Sequence, residues 1–150
     1  MHAHACEQFP LGAHIVTPRF WYTHHGIYAG GGQVIHYEGL SCALRRGPVA
    51  RVNLAEFSRG YPVQVHARAG MAYSGIEVVA RACSRLGEDA YDVLRNNCEH
   101  FCSWCLSGVA RSPQVERLLS MPGATALVVQ FLVCIVNAWM TARVALPIFN

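Results

Sequence analysis

Lysine is missing from this chain of 150 residues, and all twelve basic side chains are arginines. Chemistry through a Schiff base on a lysine amine is therefore excluded. Charged residues are scarce as well, at 14% of the chain against about a quarter in an average soluble domain. The net charge is only +3 and the arginines are scattered, so we expect no binding to nucleic acid.

The pattern of a secretory signal peptide is also missing. The opening stretch MHAHACEQFPLGAHIV has neither a basic start nor an apolar run. The seven cysteines are odd in number and unevenly spaced, which indicates free thiols rather than a disulfide framework. We therefore predict that the protein works in a reducing environment, at the cytoplasmic face.

Apolar residues, by contrast, are abundant, at 53% of the chain. Residues 123–142 carry no charge, and at 1.5 Å per residue this run is just long enough to span about 30 Å of hydrocarbon. Gln130 and Asn137 interrupt it, so a membrane anchor and a buried helix both stay open. We expect residues 1–18 to be irregular. We predict an N-terminal extension over residues 1–17, a catalytic domain over 18–120, and a hydrophobic C-terminal helix over 121–150 as a candidate membrane anchor.

Two runs rich in aromatic and β-branched residues lie on either side of three consecutive glycines, residues 30–32. Glycine accepts the positive φ that tight loops require, so this pattern predicts a β-hairpin. If the loop has an odd number of residues, His24 and His36 share one face of the hairpin. His25, eleven residues from His36, then points to the opposite face.

Two helices are predicted further along the chain. The first runs from Ser74, a good N-cap, to Leu86, with Gly87 as its stop. The second begins just after Asn97 and ends near Gly108. The first helix has apolar residues at helical spacing, which we expect to be buried: Ile76, Val79, Ala80, Cys83 and Leu86.

The stretch NNCEHF, residues 96–101, places Cys98 at the first helical position if Asn97 is the cap. Unpaired backbone N–H groups and the positive end of the helix dipole favour a thiolate there, so we expect a pKa below the usual value of about 8.5. One hairpin imidazole could deprotonate the thiol while the other orients it, as in a Cys-His-His triad. Ordinary core packing of the cysteine is the competing interpretation.

Zinc is a further alternative, because Cys98, Cys102 and Cys105 recur at i, i+4 and i+7 on one helix face. Structural zinc sites usually take their ligands as pairs from a tight knuckle rather than three from one helix. We therefore predict no metal and no other cofactor, and assign Cys102 and Cys105 to the core or to the lining of a pocket.

The blocks THHGIYAGGGQVIHYEG and YDVLRNNCEHFCSWCLSG resemble the lecithin:retinol acyltransferase-like family, and the similarity covers roughly residues 18–115. The resemblance implies an α+β fold of the circularly permuted NlpC-type, papain-like kind, with a small antiparallel sheet packed against helices. It also implies that Cys98 is the nucleophile, His24 the general base and His36 the orienting residue. Tyr28 is a candidate for lining the acyl site.

The same resemblance implies a two-step reaction, in which Cys98 takes an acyl group from a glycerophospholipid as a thioester and passes it to an amine, a hydroxyl or water. The triple glycine replaces a more usual acid-containing turn, and no long insertion is present, which argues against retinol specificity. Two other classes stay open: a cysteine peptidase or amidase of NlpC type, and a non-catalytic interaction module tethered to a membrane. The acyl acceptor and the oligomeric state are not determined at this point.

Overall fold

The chain divides into two compact units, residues 1–112 and 113–150. The uncharged run predicted to be a C-terminal helix lies almost entirely outside the described residues. The computed structural model describes residues 8–20, 22–40, 46–67, 71–121 and 123.

The first unit contains a five-stranded antiparallel sheet in the order β4-β3-β2-β1-β5. This arrangement puts the predicted hairpin, β2 and β3, in the middle of the sheet, where its side chains can be covered on both faces. The strands are β1 (His14–Pro18), β2 (Thr23–Gly30), β3 (Gln33–Leu40), β4 (Arg46–Asn53) and β5 (Gln64–Val65).

Polar caps mark where the helices of this unit begin. Asn53, Ser74 and Asn97 each accept a hydrogen bond from a backbone N–H of the first turn, which satisfies donors that have no partner within the helix. The predicted caps Ser74 and Asn97 are thus confirmed. The helices are α1 (Leu54–Ser58), α2 (Gly75–Ser84) and α3 (Cys98–Ser107), and the second unit contains α4 (Pro113–Ser120).

The two faces of the sheet are covered by different helices. Helices α2 and α3 pack on one face, and Phe57 of α1 packs on the other. Alternation along a strand sends successive side chains to opposite faces, so β2, β3 and β4 each contribute to both clusters. The first face carries Ile27, Ile35, Tyr37 and Val49 from the sheet. The second carries Ile15, Tyr28 and Val34.

Two expectations about these elements are wrong. Residues 14–18, expected to be irregular, form β1, which pairs with both β2 and β5. In α2 the buried residues are Val78 and Ala82, whereas Ile76 is 73% exposed. The helix ends at Ser84, so Leu86 lies beyond its regular part and is also exposed.

The predicted α+β class, with a small antiparallel sheet packed against helices, is confirmed. None of the helices in the described part of the chain has the length and apolar character needed to cross a membrane.

Candidate active site

The turn between β2 and β3 differs from the predicted three-residue loop. It consists of Gly31 and Gly32 alone, both at positive φ, which glycine adopts without strain. A two-residue turn with regular pairing on either side would place His25, and not His24, on the face of His36.

A β-bulge in β2 places His24, and not His25, on the face of His36. Gly30 pairs with Gln33 but Tyr28 pairs with Val34, so Ala29 is an extra residue in the strand. The extra residue shifts the register by one, and every residue before it in β2 changes face relative to β3. The predicted histidine pairing is therefore present, although it arises from a different combination of turn and strand.

His24 and His36 are in direct contact. His24 Nε2 lies 2.9 Å from His36 Nδ1, and the two rings are nearly perpendicular. Both are buried. His25 lies on the opposite face, where its Nδ1 is 2.8 Å from Nε2 of His14. The structure thus separates the two adjacent histidines into two different pairs.

Strands β2 and β3 part at the end that carries this histidine pair. Their pairing covers residues 27–30 of β2 and 33–35 of β3, whereas β3 continues along β4 to Leu40. Cys98, the first residue of α3, lies close to β2 in this region. The backbone N–H of His25 donates a hydrogen bond toward the Cys98 thiol. The thiol thus lies beside the peptide group that joins His24 to His25.

One ring nitrogen of the pair has no partner. His24 Nδ1 is buried and makes no hydrogen bond to any described residue. It is also the ring nitrogen closer to its own backbone, and therefore to the peptide group beside the Cys98 thiol. No hydrogen bond joins the Cys98 sulfur to His24 or to His36, although the structure describes all three side chains.

Both histidines of the pair are neutral at ordinary pH. Burial lowers the pKa of His24 well below 6.5, and the neighbouring His36 and Arg19 act in the same direction. Burial likewise lowers the pKa of His36 to about 4, with Arg19 contributing. Neutral imidazoles can accept a proton, as a general base must.

The expected lowering of the Cys98 pKa is not observed. Burial raises the pKa of the thiol to about 11, and the Glu99 carboxylate contributes in the same direction. The backbone N–H groups of His25, Glu99 and Cys98 itself oppose this rise but do not outweigh it. The resting site therefore combines a neutral thiol with a neutral imidazole rather than a thiolate with an imidazolium.

A buried polar network holds the start of α3 in place. Asn97 Oδ1 accepts hydrogen bonds from the backbone N–H groups of Glu99 (2.9 Å) and His100 (3.0 Å). The Ser112 hydroxyl donates to the Glu99 carboxylate at 2.6 Å. Ser112 was not predicted to take part in the site. Its separation from Glu99 by thirteen residues left no periodic signal in the sequence.

The other predicted residues lie in the protein core. Cys102 and Cys105 are fully buried among the side chains between α3 and the sheet. Tyr28 shares the sheet face of the histidine pair but packs against Phe9, and its hydroxyl accepts a hydrogen bond from the backbone N–H of Gly32. These contacts account for its burial without a substrate. Within the described residues, no three His, Cys, Asp or Glu side chains are grouped so that they could hold a metal ion.

A narrow cleft opens beside the histidine pair. The Phe57 ring forms part of its wall, with its centroid 5.3 Å from that of His24 and 5.6 Å from that of His36. The sequence gives no sign of these surroundings, because the residues come from separate elements. The other residues that line the cleft are Arg19, Tyr22, Glu38, Glu56 and Arg59.

The chain is similar in sequence to known proteins over most of its length. The family profile described as lecithin retinol acyltransferase matches residues 7–111. Human phospholipase A and acyltransferase 2 is 29% identical over 132 residues, which cover 77% of this chain and 82% of that protein. Rat lecithin retinol acyltransferase is 28% identical over 145 residues (77% and 62%), and the bovine protein 29% over 138 residues (74% and 60%). The chain thus spans about 60% of the length of these two acyltransferases.

Proposed function

Because the chain belongs to the lecithin retinol acyltransferase family, we propose that it is a thiol-dependent lipid acyltransferase or phospholipase of the A type. The observation that carries the proposal is the unpaired, buried Nδ1 of His24, beside the peptide group that the Cys98 thiol faces. Its other nitrogen is bonded to His36, so the ring is held with its free nitrogen available. The names of the similar proteins support a lipid ester as the acyl donor.

In the first step the Cys98 sulfur attacks the carbonyl carbon of a lipid ester. The thiol proton moves to Nδ1 of His24, whose ring is held in position by the contact of its Nε2 with His36. When the tetrahedral intermediate collapses, the C–O bond to the lipid alcohol breaks and His24 returns the proton to that oxygen. The products are a lysolipid and an acyl thioester on Cys98.

The protonation states favour a general-base route. A thiol with a raised pKa and a histidine with a lowered pKa do not form an ion pair before the substrate arrives. Proton transfer then accompanies attack on the carbonyl instead of preceding it. The backbone N–H groups of His25 and Cys98, which face the sulfur, are the donors best placed to bind the oxyanion.

In the second step an amine, a hydroxyl or water attacks the thioester carbonyl, and His24 accepts the proton of the incoming group. The C–S bond then breaks, and His24 returns the proton to the Cys98 sulfur, which regenerates the thiol. Water yields a free fatty acid, and the other two yield an amide or a new ester. The nature of the acceptor decides between hydrolase and transferase activity.

We place this reaction at the cytoplasmic side of a membrane. A long-chain phospholipid is presented there, and the uncharged run of residues 123–142 has the composition of an anchor. These residues lie outside the part of the chain that the structure describes.

The proposal is tested by incubating the protein with a fluorescent phospholipid and locating the acyl group by mass spectrometry. We expect the acyl group on Cys98, and we expect Cys98→Ala to reduce turnover to the level of a reaction without enzyme. Cys83→Ala is the matched control, since Cys83 is a half-exposed cysteine on the neighbouring helix α2, and it should keep full activity. Full activity in Cys98→Ala would show that the thiol is not the nucleophile.

A further inference from the structure

We infer that Arg59 binds the phosphodiester group of the lipid substrate, in the cleft beside His24 and His36, with the charge of Arg19 supporting it. This inference rests on the proposed function and extends it, because it identifies where the headgroup of the lipid binds. It also goes beyond the Cys-His-His triad, which accounts for the acyl group alone.

The backbone of Arg59 is the first observation. With a φ of 52°, Arg59 is the only residue other than glycine that has a positive φ in the described part of the chain. It ends α1 in the left-handed conformation, a position that glycine usually occupies because it has no Cβ. Non-glycine residues held in this conformation cluster at functional sites. Here the side chain lines the cleft.

The second observation is that the Arg59 guanidinium has no hydrogen bond and no ion pair with any described residue. Arg19 differs, since its guanidinium donates to the backbone oxygens of Phe57 (2.5 Å) and Pro18 (3.0 Å). Arg19 is therefore fixed as part of the cleft wall, whereas the donors of Arg59 remain available to a ligand. A guanidinium presents paired N–H donors that match two phosphate oxygens.

Electrostatics connects this subsite to the reaction. The charges of Arg19 and Arg59 both act to lower the pKa of His24 and of His36. A bound phosphodiester would offset that positive potential and make His24 a better proton acceptor when the substrate is in place. Binding of a phospholipid would thus raise the pKa of His24, the general base.

The acidic residues of the cleft limit which anions fit. Glu38 and Glu56 line the same cleft, and the Glu56 carboxylate is already bonded to the side-chain amide of Asn53 at 3.1 Å. These carboxylates repel a dianion. They are compatible with a headgroup whose phosphate carries a single negative charge and whose cationic amine can interact with them. We therefore expect a zwitterionic headgroup to bind better than free inorganic phosphate.

The test compares dihexanoylphosphatidylcholine with dihexanoylglycerol, which has the same two esters without the phosphate. For Arg59→Gln we expect kcat/KM on the phospholipid to fall about tenfold to a hundredfold, the usual loss for a charged hydrogen bond, with little change on the neutral lipid. Arg51→Gln is the control, because Arg51 is exposed and bonded to Cys83 on the other face of the sheet. Equal losses on both lipids, or no loss on the phospholipid, would overturn the inference.

A binding measurement separates this inference from the proposed function. Glycerophosphocholine carries the headgroup but no acyl ester, so its binding, followed by NMR or calorimetry, does not depend on turnover. We expect it to bind wild type and Cys98→Ala alike, and Arg59→Gln and Arg59→Gly at least tenfold more weakly. Inorganic phosphate that bound as tightly as glycerophosphocholine would show a general anion site and would contradict the phosphodiester assignment.

Arg59→Gly also addresses folding. Glycine removes the strain of the left-handed conformation, so this variant should retain the melting temperature of the wild type even though it loses the headgroup. Weakened binding together with a large fall in melting temperature would indicate a structural role for Arg59 and would count against the subsite.

Discussion

Residue by residue, the least expected property of the site is the protonation of Cys98. The residue lies where a helix would stabilise a thiolate, with Asn97 as the cap and backbone N–H groups directed toward the thiol. Burial nevertheless dominates, because an ionised sulfur loses far more hydration in the core than these donors restore. The position of Cys98 at the start of a helix predicts that the local groups lower the pKa of the thiol. The depth of burial decides that the net change is a rise.

We expect iodoacetamide to label Cys98 slowly at neutral pH in the absence of lipid, and more slowly than the half-exposed Cys83. The reason is that the thiolate is the reactive form, and a pKa of about 11 leaves very little of it at pH 7. The measurement is the rate of alkylation of each cysteine by mass spectrometry, from pH 6 to pH 10. Rapid labelling of Cys98 near pH 6 would instead indicate a thiolate–imidazolium pair.

Among the elements, the β2–β3 hairpin has the largest effect on function. Its turn has two residues, and a single bulge at Ala29 restores the register that pairs His24 with His36. A hairpin of the same composition without the bulge would present His25 instead. The choice between adjacent histidines therefore depends on one extra residue in a strand.

The two histidines should respond differently to replacement by alanine. His24→Ala removes the general base, and we expect kcat/KM to fall by about 10² to 10⁴. His25→Ala removes the partner of His14 on the other face, and we expect the free energy of unfolding to fall by about 1–3 kcal/mol while the folded protein stays active. Kinetics and urea denaturation of both variants measure the two effects. Equal losses of kcat/KM at the two positions would show that the histidine pairing differs from the one described.

At the scale of the whole molecule, the buried histidine pair makes stability depend on pH. The unfolded chain binds protons on histidine below about pH 6.5, but folded His36 does not until about pH 4. The unfolded state therefore gains protons first as the pH falls, so the stability is fully present above pH 6.5 and is lost below it. His24 acts in the same direction.

We expect the free energy of unfolding to fall by about 3 kcal/mol from His36 alone between pH 6.5 and pH 4. His36→Gln should flatten this dependence. Urea denaturation across this pH range provides the measurement. A stability that stays constant or rises on acidification in wild type would contradict the assignment of a neutral, buried pair.

A further prediction at this scale concerns the membrane. Deleting residues 121–150 should release the protein from membrane pellets and should reduce activity on bilayers more than on short-chain, monomeric lipids, because it removes the anchor we propose. Fractionation and activity assays on both kinds of substrate measure this. A full-length protein that stays in the supernatant, or a truncated one that unfolds, would support a helix buried against the domain.

Local patterns in the sequence determined a large part of this description. Polar caps predict where α2 and α3 begin because a cap interacts only with the next three residues. The glycines predict the hairpin because positive φ is a property of the residue itself. The family motifs point to Cys98, His24 and His36 as the catalytic residues.

The tertiary structure decided what depends on distant neighbours. Burial of Cys98 and of the histidine pair is produced by the packing of α3 and α1 on opposite faces of the sheet, and this packing reverses the expected pKa of the thiol. Arg19, Phe57 and Arg59 meet at the cleft from separate elements, with no spacing in the sequence that connects them. Desolvation and charge depend on distances in space, which neither periodicity nor local propensity records.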